Sequence, residues 1–242
     1  MRKLASLLTM MLATALVTSA AHAEAAVPRP FSATYAVSYR GIGPGTITFD
    51  FARDAATGRY IYETHASPST LARLFVSKAA MERSVMEIDS SGTRPIDWQL
   101  DDGKSGSEGD GELHFDWSHN SVTGTVEGKP VELTAEPGTQ DRSSMSIAVT
   151  TALLRGVEPG TIPLIDDNRI KRYVYTKKET ATVDSALGKI ETVIYESTRE
   201  GGSSRTSRFW MAPSLEFLPV RAEQIRKGRV ETVMVLQKLE HH

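Results

Sequence analysis

The sequence predicts an all-β domain: a sandwich, barrel or curled sheet of a dozen or more short strands with one main helix. Three observations carry this prediction. Apolar residues alternate with polar ones in run after run, the spacing of half-buried strands. Clusters of Gly, Pro, Asn and Asp separate those runs at short intervals, with no linker, low-complexity segment or repeat between them. Helical periodicity sustained over several turns occurs once, between Pro137 and Gly156.

The strands follow in order. Phe31, Ala33, Tyr35, Val37 and Tyr39 alternate with mostly polar neighbours, and Gly41 to Gly45 reads as a turn. Ile47, Phe49 and Phe51 return, Ala55 to Gly58 turns again, and Tyr60 to His65 makes a third strand. This is a meander of hairpins. Ser67 to Thr70 can start a short helical turn holding Leu71, Leu74 and Phe75. Met81 to Ile88 alternates, then Ile96, Trp98 and Leu100 share a face. Asp101 to Asp110, charged and Gly-rich, reads as an exposed turn. Leu113, Phe115 and Trp117 share the next face, Val122 and Val126 make a short strand, and Gly128-Lys129 turns into Val131 and Leu133.

The helix is expected over about 140–155. Met145, Ala148, Val149, Ala152 and Leu153 recur at steps of three and four, which makes one apolar stripe for a sheet. Thr139 or Asp141 is placed to cap its start, and Gly156 to end it in the left-handed conformation. Thr150 and Thr151 are mediocre helix formers, so packing must hold the element. Beyond it, Ile162 and Leu164, Ile170 to Val183, Ile190 to Thr198 and Arg205 to Met211 read as strands. A last hairpin pairs Phe217 to Ile225 with Val230 to Leu236 about Lys227-Gly228.

The chain opens with Met1-Arg2-Lys3, an apolar run from Leu4 to about Val17, and Ala21-His22-Ala23. A basic start, a short apolar core and an Ala-x-Ala site define a secretory signal peptide, residues 1–23, cleaved after Ala23. The run is too short for a comfortable membrane span, and no second one occurs. A single domain over 24–242 in the periplasm is therefore expected. Cysteine is absent, so neither disulfides nor a lipid anchor on an N-terminal cysteine enters. The formal charge is −2, and loss of Arg2 and Lys3 makes the chain more acidic. Nothing there favours nucleic acid.

No cofactor and no catalytic signature is expected. His114 and His119 lie on a wet strand face and in a turn, and a metal site needs three or four convergent ligands. No Gly-x-Ser-x-Gly, His-Glu-x-x-His or phosphate-binding Gly loop occurs. Asp101-Asp102 and Asp166-Asp167 sit beside Gly or Asn, as solvated turn residues do. Two groups stand out. Gln140, Asp141 and Arg142 either hold a ligand's polar head at the helix N-terminus or form an arginine–carboxylate link to the sheet, with Arg221 a further candidate. In the second case Asp141→Asn should be nearly as damaging as Asp141→Ala. Trp98, Trp117 and Trp210 either belong to the core or line an apolar cavity.

Three stretches carry a family resemblance: Pro137-Gly138-Thr139-Gln140-Asp141-Arg142-Ser143, Arg208-Phe209-Trp210-Met211-Ala212-Pro213, and Leu218-Pro219-Val220-Arg221. From about Phe31 to Leu236 the chain resembles the bacterial exported proteins grouped as domain of unknown function 3108. That family brings no established activity. The resemblance implies a shape similar to LolA- and EipB-like periplasmic proteins: a strongly curled antiparallel sheet, an open barrel or β-spiral, wrapping one main α-helix. The functional expectation is a non-enzymatic protein of the cell envelope that binds a lipid, an acyl chain or an envelope protein. Its alternative is a solid-cored interaction module for envelope integrity, and an envelope hydrolase stands behind both.

Overall fold

The computed structural model describes residues 26–68, 80–104 and 106–242. The expected signal peptide and the expected short helical turn around Leu71 lie outside the described residues. Eight strands precede the helix: β1 (Phe31–Tyr39), β2 (Ile42–Arg53), β3 (Tyr60–Pro68), β4 (Met81–Asp89), β5 (Gly92–Asp101), β6 (Gly111–Asp116), β7 (Ser121–Val126) and β8 (Lys129–Thr134). Helix α1 (Ser144–Leu154) follows. Then come β9 (Thr161–Asp166), β10 (Arg169–Ser185), β11 (Gly188–Arg199), β12 (Arg205–Ala212), a 3-10 turn (Pro213–Leu215), β13 (Leu218–Arg226) and β14 (Arg229–His241).

All fourteen strands form one sheet in the order β8-β7-β6-β5-β4-β3-β2-β1-β14-β13-β12-β11-β10-β9. Every pairing within it is antiparallel, and β1 meets β14 from Phe31↔His241 to Tyr39↔Thr232. The chain therefore runs as a meander that curls until its first and last strands pair. The two ends of the sheet order, β8 and β9, are not paired with each other. Between them the chain after β8 keeps one bond to its old neighbour, Ala135 N to Asn120 O at 2.8 Å. It then lays Gln140 against β9, whose bonds are Gln140 N to Pro163 O (2.8 Å) and Ile165 N to Gln140 O (2.9 Å). One residue thus stitches the seam, and the helix that follows drops into the interior.

The helix differs from the expected one-sided stripe. Ser144, Ile147, Val149, Thr150, Thr151 and Leu153 are all buried, and only Ser146 is exposed. A helix wrapped by a curled sheet keeps little wet face, so buried positions fall on more than one side. Ile147 joins a core with Phe31, Tyr35, Phe51, Met86 and Leu236. Val149 and Leu153 join a second core with Ile162, Tyr175, Tyr195 and Met211. A third core, built on Trp98, Leu113, Phe115 and Val122, fills the β5–β8 end and reaches Ile165 across the seam. Gly156 ends the helix at φ 71°, where Val157 N reaches Ala152 O at 2.9 Å.

The first turn is tighter than expected. Arg40 and Gly41, both at positive φ, make a two-residue hairpin turn, and β2 begins at Ile42. The rest of the glycine run continues the ladder, with Gly45 opposite Val37 and an irregularity between Val37 and Tyr39.

Candidate functional site

One face of α1 borders a space inside the sheet. A cavity of about 210 Å³ opens beside Met145, Val149 and Thr150, along the inner wall. Aromatic rings form one side of that wall: Tyr35 of β1, Phe49 of β2 and Tyr62 of β3. These rings brace one another, Tyr35 edge-on to Phe49 at 5.4 Å and Phe49 stacked on Tyr62 at 5.8 Å. The other side comes from Tyr175, Tyr195, Phe209 and Met211, with Ala222 and Met234 between. Exposed Ser146 also borders the cavity.

Among the described residues, no charged side chain lines this space. Its polar atoms are hydroxyls, and two of them are committed: Tyr35 donates to Pro219 O at 2.8 Å, and Tyr195 to Glu158 Oε2 at 2.9 Å. Burial pushes the Tyr175 hydroxyl up to about 12 and raises those of Tyr35, Tyr62 and Tyr195 as well. The site is therefore neutral at any physiological pH. An engineered apolar cavity of roughly 150 Å³ holds benzene, so this one has room for a ring with a few more carbons, or a short run of acyl chain.

None of the residues singled out from the sequence lines the cavity. Trp98 is 1% exposed, its Nε1 donates to Glu82 Oε1 at 2.7 Å, and Gly111 leaves room for its ring. Trp117 donates to Pro95 O at 2.7 Å and stacks on Phe115. Trp210 lies under Arg221 (5.4 Å) and Arg208 (5.9 Å). The tryptophans are packing residues.

Gln140, Asp141 and Arg142 do gather at the start of α1, but Asp141 is not the carboxylate that meets an arginine. Arg142 reaches over Trp98 at 5.7 Å and approaches Glu127 at 3.9 Å, while Arg221 pairs with Glu223 at 2.6 Å. Gln140 Nε2 donates to Thr93 O at 2.8 Å. Asp141 is fully buried, and among the described residues no cation pairs with it. Its Oδ1 accepts from Ser143 N and Ser144 N, each at 2.8 Å, and its Oδ2 from the Ser84 hydroxyl at 2.7 Å. Asp141 thus caps the helix and ties it to β4. Burial raises its carboxyl to about 6, against the pull of those donors and with a small push from Glu82. The expected arginine fails because this carboxylate sits under the sheet, whereas both arginines reach outward to glutamates.

Three further polar clusters lie away from this space. Ser118, His119 and Asp116 touch, but on an exposed turn. The serine hydroxyl (3.1 Å) and the carboxylate (2.6 Å) both lie against the same ring nitrogen, Nδ1. A proton relay needs them on opposite nitrogens. His114 pairs separately with Asp97 at 2.8 Å. Asp101, Asp102 and Asp110 bring carboxylate oxygens within 4.8 Å of one another. They are spent on turn amides, and Lys104 Nζ holds Asp102 at 2.8 Å.

Comparison with known proteins adds the following. The sequence model of the family described as protein of unknown function (DUF3108) matches residues 34–235. No curated protein matches the chain. A beta-barrel-like protein of domain of unknown function DUF1849 from Brucella abortus superposes with a TM-score of 0.58 at 11% identity, covering 90% of this chain and 99% of that one. A Bacteroides fragilis protein with a YmcC-like fold reaches a TM-score of 0.36 at 10% identity, over 90% of this chain and 99% of that one. Only the first bears on the fold, and it agrees with a curled, barrel-like sheet.

Proposed function

The chain belongs to the DUF3108 family, and from that premise we propose that it is a non-enzymatic, exported protein of the cell envelope. It takes the apolar part of a small molecule into the space between α1 and the sheet. The observation that supports this most is the cavity itself: about 210 Å³, walled by aromatic and methionine side chains, and free of charge among the described residues. The basic start, short apolar run and Ala-x-Ala pattern within residues 1–23 support export. The cavity is smaller than the roughly 300–1,000 Å³ of most ligand sites, so it suits one short chain or ring rather than a whole diacyl lipid.

The test is native mass spectrometry of protein recovered from the periplasm, with displacement of a fluorescent fatty acid as the second readout. Extraction should yield a bound apolar species. Ala222→Leu, which projects a larger side chain into the cavity, should reduce probe uptake at least tenfold while keeping the fold. An empty protein, together with unchanged probe binding in Ala222→Leu, would leave the interior as core alone and favour a module that acts through its outer face.

A further inference from the structure

Three hairpin tips meet at one end of the barrel. Arg40 N bonds to Glu231 O at 2.7 Å, joining the β1–β2 tip to the β13–β14 tip. Lys227 N bonds to Ser204 O at 2.7 Å, joining that tip to the β11–β12 connection. The tight turns Arg40-Gly41 and Lys227-Gly228 place a cation at each apex. Arg205 pairs in register with Arg226, and Arg226 with Arg229. Five cations therefore share this rim, in a chain whose formal charge is −2. Glu231 engages Arg40 at 2.6 Å, and Glu200 is the other acid in these tips. Among the described residues, Arg205, Arg226, Lys227 and Arg229 make no direct ion pair, although Arg226 and Arg205 join Arg40 in holding the Glu231 carboxyl below its usual range. Arg40, Arg226, Lys227 and Arg229 line one open depression.

Apolar side chains stand between these charges. Ile42 is 68% exposed, Tyr39 46% and Val230 45%, three of the six most exposed large hydrophobics among the described residues. We propose that this rim docks on an anionic phospholipid surface, with the cations on the headgroups and Ile42, Tyr39 and Val230 reaching between them. Charge complementarity selects an anionic partner. Tyr39 and Ile42 are register partners beside the Arg40-Gly41 turn, and with Val230 they make a patch too small for the core of a protein interface but suited to a lipid interface. The rim does not depend on the cavity having a ligand. Its strands nonetheless lead there: Tyr35, Phe209, Ala222 and Met234 each stand four residues from a rim residue, roughly 13 Å along a strand.

The experiment is flotation of the purified protein with vesicles of equal parts phosphatidylglycerol and phosphatidylcholine, against phosphatidylcholine alone. Binding is expected to the anionic vesicles only, and to fall as salt rises. Each neutralised cation should weaken it about fivefold, so Arg226→Glu with Arg229→Glu should abolish it. These exposed tips can change without loss of melting temperature. Ile42→Ser should weaken vesicle binding and keep its salt dependence. Ala222→Leu should bind vesicles like the wild type, so an empty cavity leaves this result untouched. Equal binding to both vesicles, or wild-type binding by the double variant, overturns the proposal. So does equal affinity for a soluble polyanion such as heparin with no effect of Ile42→Ser, which would make the rim a polyanion site.

Discussion

Asp141 is a buried carboxylate whose partners are all donors without charge, and this decides how it responds to substitution. Asp141→Ala strands two helix N–H groups and the Ser84 hydroxyl, at a cost of about 1–3 kcal/mol. Asn keeps the oxygen that accepts from Ser143 and Ser144, and Ser84 can turn to accept from its amide. Asp141→Asn should therefore stay within about 1 kcal/mol of wild type at neutral pH, the reverse of what an arginine pair would require. The pH dependence follows the raised carboxyl. The folded protein holds this proton up to about pH 6, above the unfolded value of 3.8. The resulting stabilisation is complete below the unfolded value and is lost as pH rises through 6. Urea melts across that range should show the slope in wild type and its loss in Asp141→Asn. Thr151 offers a simpler case. Its hydroxyl is buried with no partner among the described residues, so Thr151→Val should stabilise by about 1 kcal/mol in the same melts. The cap at Asp141 was legible in the sequence because a carboxylate before a helix has a local meaning. Its partner in β4 was not, since Ser84 lies 57 residues away and nothing in the spacing marks it.

Among the elements, the tight pairing of β6 with β7 depends on one glycine. Gly124 sits at φ 150°, and a Cβ there would fall 2.0 Å from the Glu112 carbonyl oxygen. Gly124→Ala should force the two strands apart and cost roughly 3 kcal/mol or more. Gly128, at the following turn, has φ 70° and open space around it. Gly128→Ala should cost only about 1 kcal/mol, and thermal melts of the pair separate backbone collision from turn preference. Strands and turns were legible from alternation and glycine placement. The helix was legible as a helix, but its burial on more than one side was not. Thr150, Thr151 and Ser144 look like an outer face until a sheet is wrapped over them. The tryptophans misled for a related reason. Alternation shows that Trp98, like Tyr35, faces inward, and only the backbone around Gly111 shows that the space for its ring is already filled.

At the scale of the whole molecule, the meander could be read along the sequence, strand by strand, because each hairpin is local. The pairing of β1 with β14 could not, because no local signal links Phe31 to His241. The cavity is a property of that closure, since its wall draws on strands from both halves of the chain. The same closure makes the order of strands a ring with one open seam at Gln140. On a ring, the place where the polypeptide begins is a matter of genetics and not of architecture. His242 N already bonds to Pro30 O at 3.2 Å, so a short linker could join these ends. New ends could then be opened at the exposed Gly201-Gly202 turn. Such a circular permutant should reach the same native state and bind the same fluorescent fatty acid, although it would synthesise β12 first and the old terminal strands as an ordinary hairpin.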